Sequence, residues 1–251
     1  MQEETVRLAK EGELATITLA RPAKRNALSP REHERIQAIC RELNEDPAIR
    51  VVIFRGEGKI FSAGADLGNP KEAGKPTGDL DRRRRARIGD RTMQAVQSLD
   101  AITIAAVQGA AIGGGCVLAL ACDLRVLAAD AFLSVPEVDI AMPLTWGAIP
   151  LLMGEIGSAR TLEFVATCER LDAPTAHQWG LANHLSEGDP MPRARELAET
   201  LLAKPPVAVA MTKTAVRGLK SRYRQGDLTE LEGDLYWLAV KLGARYERKP
   251  S

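Results

Sequence analysis

Two stretches of small residues offer this chain its clearest means of acting on a substrate. One is Phe61-Ser62-Ala63-Gly64-Ala65-Asp66-Leu67, and the other is Gly113-Gly114-Gly115-Cys116, at the head of an apolar run. Both read as strand-to-turn junctions at which bare backbone N–H groups can reach a common point. Two converging N–H groups, one of them at a helix N-terminus, are what a carbonyl oxygen needs when negative charge develops on it. The same residues would equally serve tight turns and close packing of a helix on a sheet.

Other site patterns do not hold. Gly56-Glu57-Gly58-Lys59 lacks the upstream glycine of a phosphate-binding loop, and the glycines from Gly109 to Gly115 are not spaced as in a dinucleotide fingerprint. Ile60, two places before Ser62, breaks a nucleophile elbow. His33, His177 and His184 have no acid or cysteine partner in a recognisable arrangement and read as structural or solvated. Cys40, Cys116, Cys122 and Cys168 are scattered, with no histidine at ligand spacing, so reduced thiols and no metal are expected.

The elements that must position the two junctions follow the hydrophobic pattern. Val6 to Leu8 and Leu14 to Leu19 read as a hairpin around Lys10-Glu11-Gly12-Glu13, and Ser29-Pro30 opens a helix through Leu43. Val51 to Phe54 and Thr103 to Val107 are apolar throughout, as strands inside a parallel sheet are. Leu124 to Leu127 and Phe132-Leu133 are further strands. Pro70 to Arg87, with its run Arg82 to Arg85, reads as a surface loop leading into a helix from Ile88 to Leu99. Helices are expected over Cys116 to Ala121, Trp146 to Ile156, Ala159 to Ala166, Ala173 to Trp179, Pro192 to Ala203, Pro206 to Leu219 and Leu228 to Leu242. The organisation is α/β, with a core over residues 1–189 and a helical extension over 190–251.

The chain has 251 residues, with 34 Lys and Arg against 33 Asp and Glu and a net charge of +1. A nucleic acid or an anionic membrane is held by an excess of Lys and Arg, so neither partner is expected. No secretory signal and no span of about 18 uncharged apolar residues is present, which points to a cytoplasmic protein.

Several of these motifs, taken in order, resemble the crotonase superfamily, the enoyl-CoA hydratase/isomerase family. They are Arg21-Pro22 with Asn26-Ala27-Leu28, Ile60 to Leu67, Ala106 to Cys116, Cys122-Asp123-Leu124-Arg125 and Pro136-Glu137-Val138. The resemblance implies a spiral of ββα units with two roughly perpendicular sheets, and a C-terminal helical region used in a homotrimer or hexamer. It implies an acyl-CoA thioester as substrate, with no further cofactor. The oxyanion hole would be the N–H groups of Ala65 and Gly114, with Glu137 as acid/base. Ala63, Gly64, Asp66 and Leu67 would border the bound CoA ester, and Lys24 or Arg25 would approach the CoA phosphates. The run Arg82 to Arg85 is a weaker candidate for the same phosphates, a solvated loop being the alternative.

The sequence departs from the family pattern at the acids. Hydratases of the family place a second Glu two residues after the third glycine of the triple, and here that position is Val117. A hydratase orients one water with two carboxylates, whereas moving a double bond needs one base that takes the α proton and returns it at the γ carbon. Isomerisation of an enoyl-CoA is therefore the expected activity. The alternatives are a hydratase or lyase that recruits Asp139 or another polar group, and a non-catalytic acyl-CoA-binding subunit. Leu144 and Trp146 replace glycines of the family pattern and imply a reshaped acyl pocket.

Overall fold

The computed structural model describes residues 4–67, 77–220, 234–236 and 238–240. Its strands are β1 (Val6–Glu11), β2 (Leu14–Leu19), β3 (Val51–Gly56), β4 (Ile102–Val107), β5 (Ala110–Ile112), β6 (Leu124–Ala128), β7 (Phe132–Ser134), β8 (Leu171–Asp172) and β9 (His184–Ser186). Its helices are α1 (Pro30–Asn44), α2 (Asp79–Ala86), α3 (Ile88–Gln97), α4 (Gly114–Ala121), α5 (Ala148–Thr167), α6 (Ala173–Trp179), α7 (Met191–Leu202) and α8 (Pro206–Lys220). The architecture is the α/β one expected, with two sheets and helices at the C-terminal end. One sheet has six strands in the order β1-β2-β3-β4-β6-β9, and the other has three, β5-β7-β8.

The opening hairpin turns on Gly12, whose φ of 60° suits a residue without a Cβ. It is antiparallel, and every later pairing in the large sheet is parallel. Parallel strands are covered on both faces, which explains the unbroken apolar runs of β3 and β4. Alternate residues divide between the faces. Val52, Phe54, Ala105 and Val107 join one core with Ile36, Ile39 and Leu43 of α1, Met93 and Val96 of α3, and α4. Val51, Ile53, Ile104 and Ala106 join a second with Met191, Ala194 and Ala198 of α7.

Two expectations are corrected here, the arginine run as a loop and Trp146 as the start of a helix. Residues 79–86 are helical, so the arginine run stands on α2 and not in a loop, with Arg83 paired to Asp234 (2.7 Å) and Arg85 to Asp81 (3.0 Å). The acidic residues Asp79 and Asp81 in the first turn and arginines in the last suit the helix dipole, which outweighs the poor apolar pattern. The two helices expected over 146–166 are found end to end within α5, separated at Gly157, whose φ of 74° and ψ of 175° are not helical. Trp146 lies ahead of it in the left-handed region, with φ 64°. The remaining helix, Leu228 to Leu242, falls mostly outside the described residues; of its apolar stripe, Leu235 and Leu238 are helical and exposed. Among the described residues no helix is long and apolar enough to cross a membrane.

One buried ionic knot ties the N-terminal turn to the Phe61–Leu67 stretch. Arg21 donates to Glu32 (2.8 Å), to Asp66 (3.0 Å) and to the Ala27 carbonyl (2.9 Å). Burial pushes the Glu32 carboxyl up, but hydrogen bonds from Ser29 and Thr5 and the Arg21 charge outweigh it and hold its pKa below the usual range. Because the knot is shielded from water, Arg21→Met should cost about 3–5 kcal/mol of stability by urea unfolding. Arg21→Lys should recover only part of that, lacking the planar fork that reaches both acids.

Candidate active site

The Phe61–Leu67 loop is fixed by almost every amide it carries. Phe61 and Ser62 N–H donate to the Ala110 carbonyl (3.0 and 3.2 Å), Ala63 N–H to Arg25 O (2.9 Å) and Asp66 N–H to Leu28 O (3.0 Å). Gly64 N–H donates to Ser62 Oγ (3.1 Å), and that hydroxyl donates to Asn26 O (2.8 Å). From Phe61 to Asp66 every other N–H has an acceptor among the described residues, whereas none is found there for the Ala65 N–H, and Ala65 is exposed.

The second junction opens α4. Gly113 N–H donates to Ser134 O (2.8 Å), and the Gly114 N–H, at the first helical position, is among those that find no carbonyl inside a helix. Gly113 has φ 51° and ψ −123°, a region for glycine alone. Gly64, with φ 82°, brings the loop against this helix end, for a Cβ there would stand 2.9 Å from Gly114 N and 2.5 Å from Ile112 O. Gly115 is equally constrained, since its Cβ would meet Ser62 O at 2.6 Å. The two unfilled N–H groups, of Ala65 and Gly114, are thus neighbours, one of them at the positive end of a helix.

Glu137 completes the cluster. It follows β7 in a turn, and a Cβ on Gly113 would come within 2.7 Å of its Oε1. Its Oε2 is buried with no hydrogen-bond partner among the described residues, and burial raises its pKa to about 7. A carboxyl poised at that value can both take and return a proton near neutrality. Val117, one turn into α4, is buried and apolar. Asp139 does not join the group: the segment is not extended, as strand alternation would require, but a 3₁₀ turn over Val138–Ile140, and Asp139 is exposed.

Of the other residues singled out in the sequence, Leu144 is buried, and Trp146 lies on Gly114 so closely that a Cβ there would overlap the indole Cζ3. Lys24 and Arg25 are exposed on the turn whose Arg25 carbonyl holds Ala63, so both border the loop. Ala63 and Asp66 are half-buried, and Leu67 is exposed. The run Arg82 to Arg85 lies on α2. His33 and Gly89 gave no signal as site residues, yet both touch the Trp146 indole: the His33 ring meets it edge-on at 4.9 Å, and Gly89 lies under it. A cavity of about 520 Å³ lies elsewhere, among α3, α4, α5 and α8, around the Lys213–Asp123 ion pair (2.6 Å), and contains none of these residues. Among the described residues no cluster of His, Cys, Asp and Glu is placed to hold a metal ion.

Comparison with known proteins gives the family. The sequence matches the enoyl-CoA hydratase/isomerase family over residues 9–236. It is 32% identical over 223 residues to a short-chain-enoyl-CoA hydratase of Clostridium acetobutylicum, covering 88% of this chain and 84% of that protein. It is 35% identical over 216 residues to the carnitinyl-CoA dehydratase of Escherichia coli K12, covering 85% and 80%. Among solved structures, an enoyl-CoA hydratase/isomerase from Xanthobacter autotrophicus superposes with a TM-score of 0.87 at 28% identity, over 96% of this chain and 89% of the other. The chain belongs to the enoyl-CoA hydratase/isomerase family, and an acyl-CoA thioester is the substrate class that membership carries.

The raised pKa of Glu137 links the site to stability. Its folded value of about 7 stands above the ordinary 4.5, so the stability it contributes is complete below pH 4.5 and lost as pH rises through 7. Glu137→Gln escapes that loss. Its stability relative to the native protein should therefore improve by roughly 3 kcal/mol between about pH 4 and about pH 8, read from denaturant unfolding across pH.

Proposed function

We propose that this enzyme stabilises a thioester enolate with Glu137 as its one acid/base group, and that its reaction is double-bond isomerisation of an enoyl-CoA. The observation that carries the reading is the pairing of a buried, unpartnered Glu137 Oε2 with an apolar Val117 beside the open N–H groups of Ala65 and Gly114. The thioester oxygen accepts from those two N–H groups, which acidifies the α carbon. Ionised Glu137 removes the α proton, the electron pair delocalises onto the oxygen and through the double bond, and the same carboxyl returns a proton at the γ carbon. Nothing is gained or lost overall.

Hydration is the second reading, favoured by the names of the two relatives, a hydratase and a dehydratase. It must hold a water opposite the enolate. With Val117 in place of a second carboxylate, that water is a hydrogen-bond partner short, a loss of about 1–3 kcal/mol before proton transfer is considered.

The α-proton exchange of a short 3-enoyl-CoA in heavy water tests the first reading. Its kcat/KM should rise with pH to a plateau with an apparent pKa of about 7, because the base must be ionised. Glu137→Gln should lower it by about 10²-fold or more while leaving CoA-ester binding, and Val117→Glu should raise hydration of a short 2-enoyl-CoA. Efficient hydration by the native protein that survives Glu137→Gln would overturn the assignment. For the assembly we propose a trimer-based oligomer, supported by the exposed apolar residues Val207, Met211, Val216 and Leu219 on α8. Light scattering at micromolar concentration should then give a multiple of three chains, and a monomer would contradict it.

A further inference from the structure

Trp146 packs its indole against Gly114, a residue of the proposed oxyanion hole, and its setting is unusual in several independent ways. Its own φ of 64° is followed by Gly147 at 70°, so two successive left-handed residues turn it back toward α4. The indole then lies on two glycines from different helices. A Cβ on Gly114 would overlap Cζ3 and Cη2, and one on Gly89 would overlap Cε2 and Nε1. Only residues without side chains fit beneath it.

The ring also meets His33. This histidine is buried, meets the indole at an interplanar angle of 88°, and has its pKa pushed down to about 4 by burial, so it is neutral. The Thr92 hydroxyl donates to Ile88 O (3.0 Å) and accepts from Gln37 Nε2 (2.9 Å), which leaves His33 Nδ1 as the donor in its 2.9 Å contact with Thr92. That network fixes the imidazole and, through it, the indole. Trp146 is thus wedged between α1, α3 and α4, with little room to swing away.

We propose that Trp146 closes the acyl end of the site and restricts the enzyme to short, compact acyl groups. The inference rests on the reading that Gly114 N–H holds the thioester oxygen. An acyl group whose carbonyl is anchored there meets the indole within a few atoms, because the ring is in van der Waals contact with the same residue. Only a few carbons beyond the carbonyl then fit before the ring, and a longer chain must displace a side chain packed against α1, α3 and α4. His33 is a positioning residue in this arrangement: it touches the indole and not the reacting atoms.

The test compares four-carbon and ten-carbon thioesters in two assays on the full chain. Calorimetry with the saturated butyryl-CoA and decanoyl-CoA reads binding without chemistry, and α-proton exchange of the matching 3-enoyl-CoA esters reads turnover. The native protein should prefer the short ester by about 10²-fold in both. Trp146→Ala should shift that ratio toward the long ester by ~10-fold or more, and Trp146→Phe, which keeps an aromatic on the glycines, should shift it less. His33→Gln should move the ratio in the same direction as Trp146→Ala, whereas a merely structural role would lower both esters alike. Equal binding of the two esters by the native protein, or a ratio unchanged in folded Trp146→Ala and Trp146→Phe, would overturn the proposal. Chain-length discrimination in binding without any exchange would instead count against Glu137 as the base, and leave the role of Trp146 standing.

Discussion

The close approach of the Gly64 backbone to the first turn of α4 is the constraint on which the site depends. A loop amide and a helix-terminal amide can face one oxygen only if two pieces of chain from different sheets come closer than side chains allow. Gly64, Gly113 and Gly115 supply that clearance, and each would collide with backbone or with a neighbouring side chain if it carried a Cβ. The surrounding hydrogen bonds then use up the N–H groups of Phe61, Ser62, Ala63, Gly64 and Asp66. What is left open is a pair of donors aimed outward, already oriented before any ligand arrives, which is the condition for stabilising charge without reorganisation.

Glu137 gains its character from the same packing. The carboxyl reaches the helix end beside Gly113, where its Oε2 is buried and finds no donor among the described residues. Burial of an unpaired acid is unfavourable for folding, and the fold tolerates it because the large two-faced core supplies ample apolar burial elsewhere. The unfavourable burial keeps the proton affinity of the group near neutrality. In the proposed mechanism Val117, buried in α4, stands where a second carboxylate would otherwise hold a proton or a water.

Much of this was legible in the sequence, for physical reasons that differ between elements. The apolar runs of β3 and β4 announce a sheet buried on both faces, and the glycine and alanine runs at 63–65 and 113–115 announce backbone packed on backbone. The short strands β5, β8 and β9 were not legible, because two or three residues carry no periodicity and are defined by partners distant in the chain, such as Val126 opposite His184. The helix α2 was hidden by its lack of apolar residues. The 3₁₀ turn over Val138–Ile140 carries no sequence signal, and it leaves Asp139, an alternative second carboxylate only if the segment were extended, exposed. Trp146 was visible as bulk, but its left-handed backbone and its contact with His33, 113 positions earlier in the numbering, belong to tertiary structure alone.

The central claim is that one carboxyl moves one proton between two carbons of a thioester held by two backbone donors. The most direct measurement follows the label itself, with a short 3-enoyl-CoA carrying deuterium at the α carbon and the product analysed by mass spectrometry and NMR after single turnovers. A single buried base returns part of the deuterium to the γ carbon of the 2-enoyl product before solvent exchanges it, and that partial intramolecular transfer is the predicted result. A 3-hydroxyacyl product formed without any γ-deuterated 2-enoyl-CoA would contradict the account.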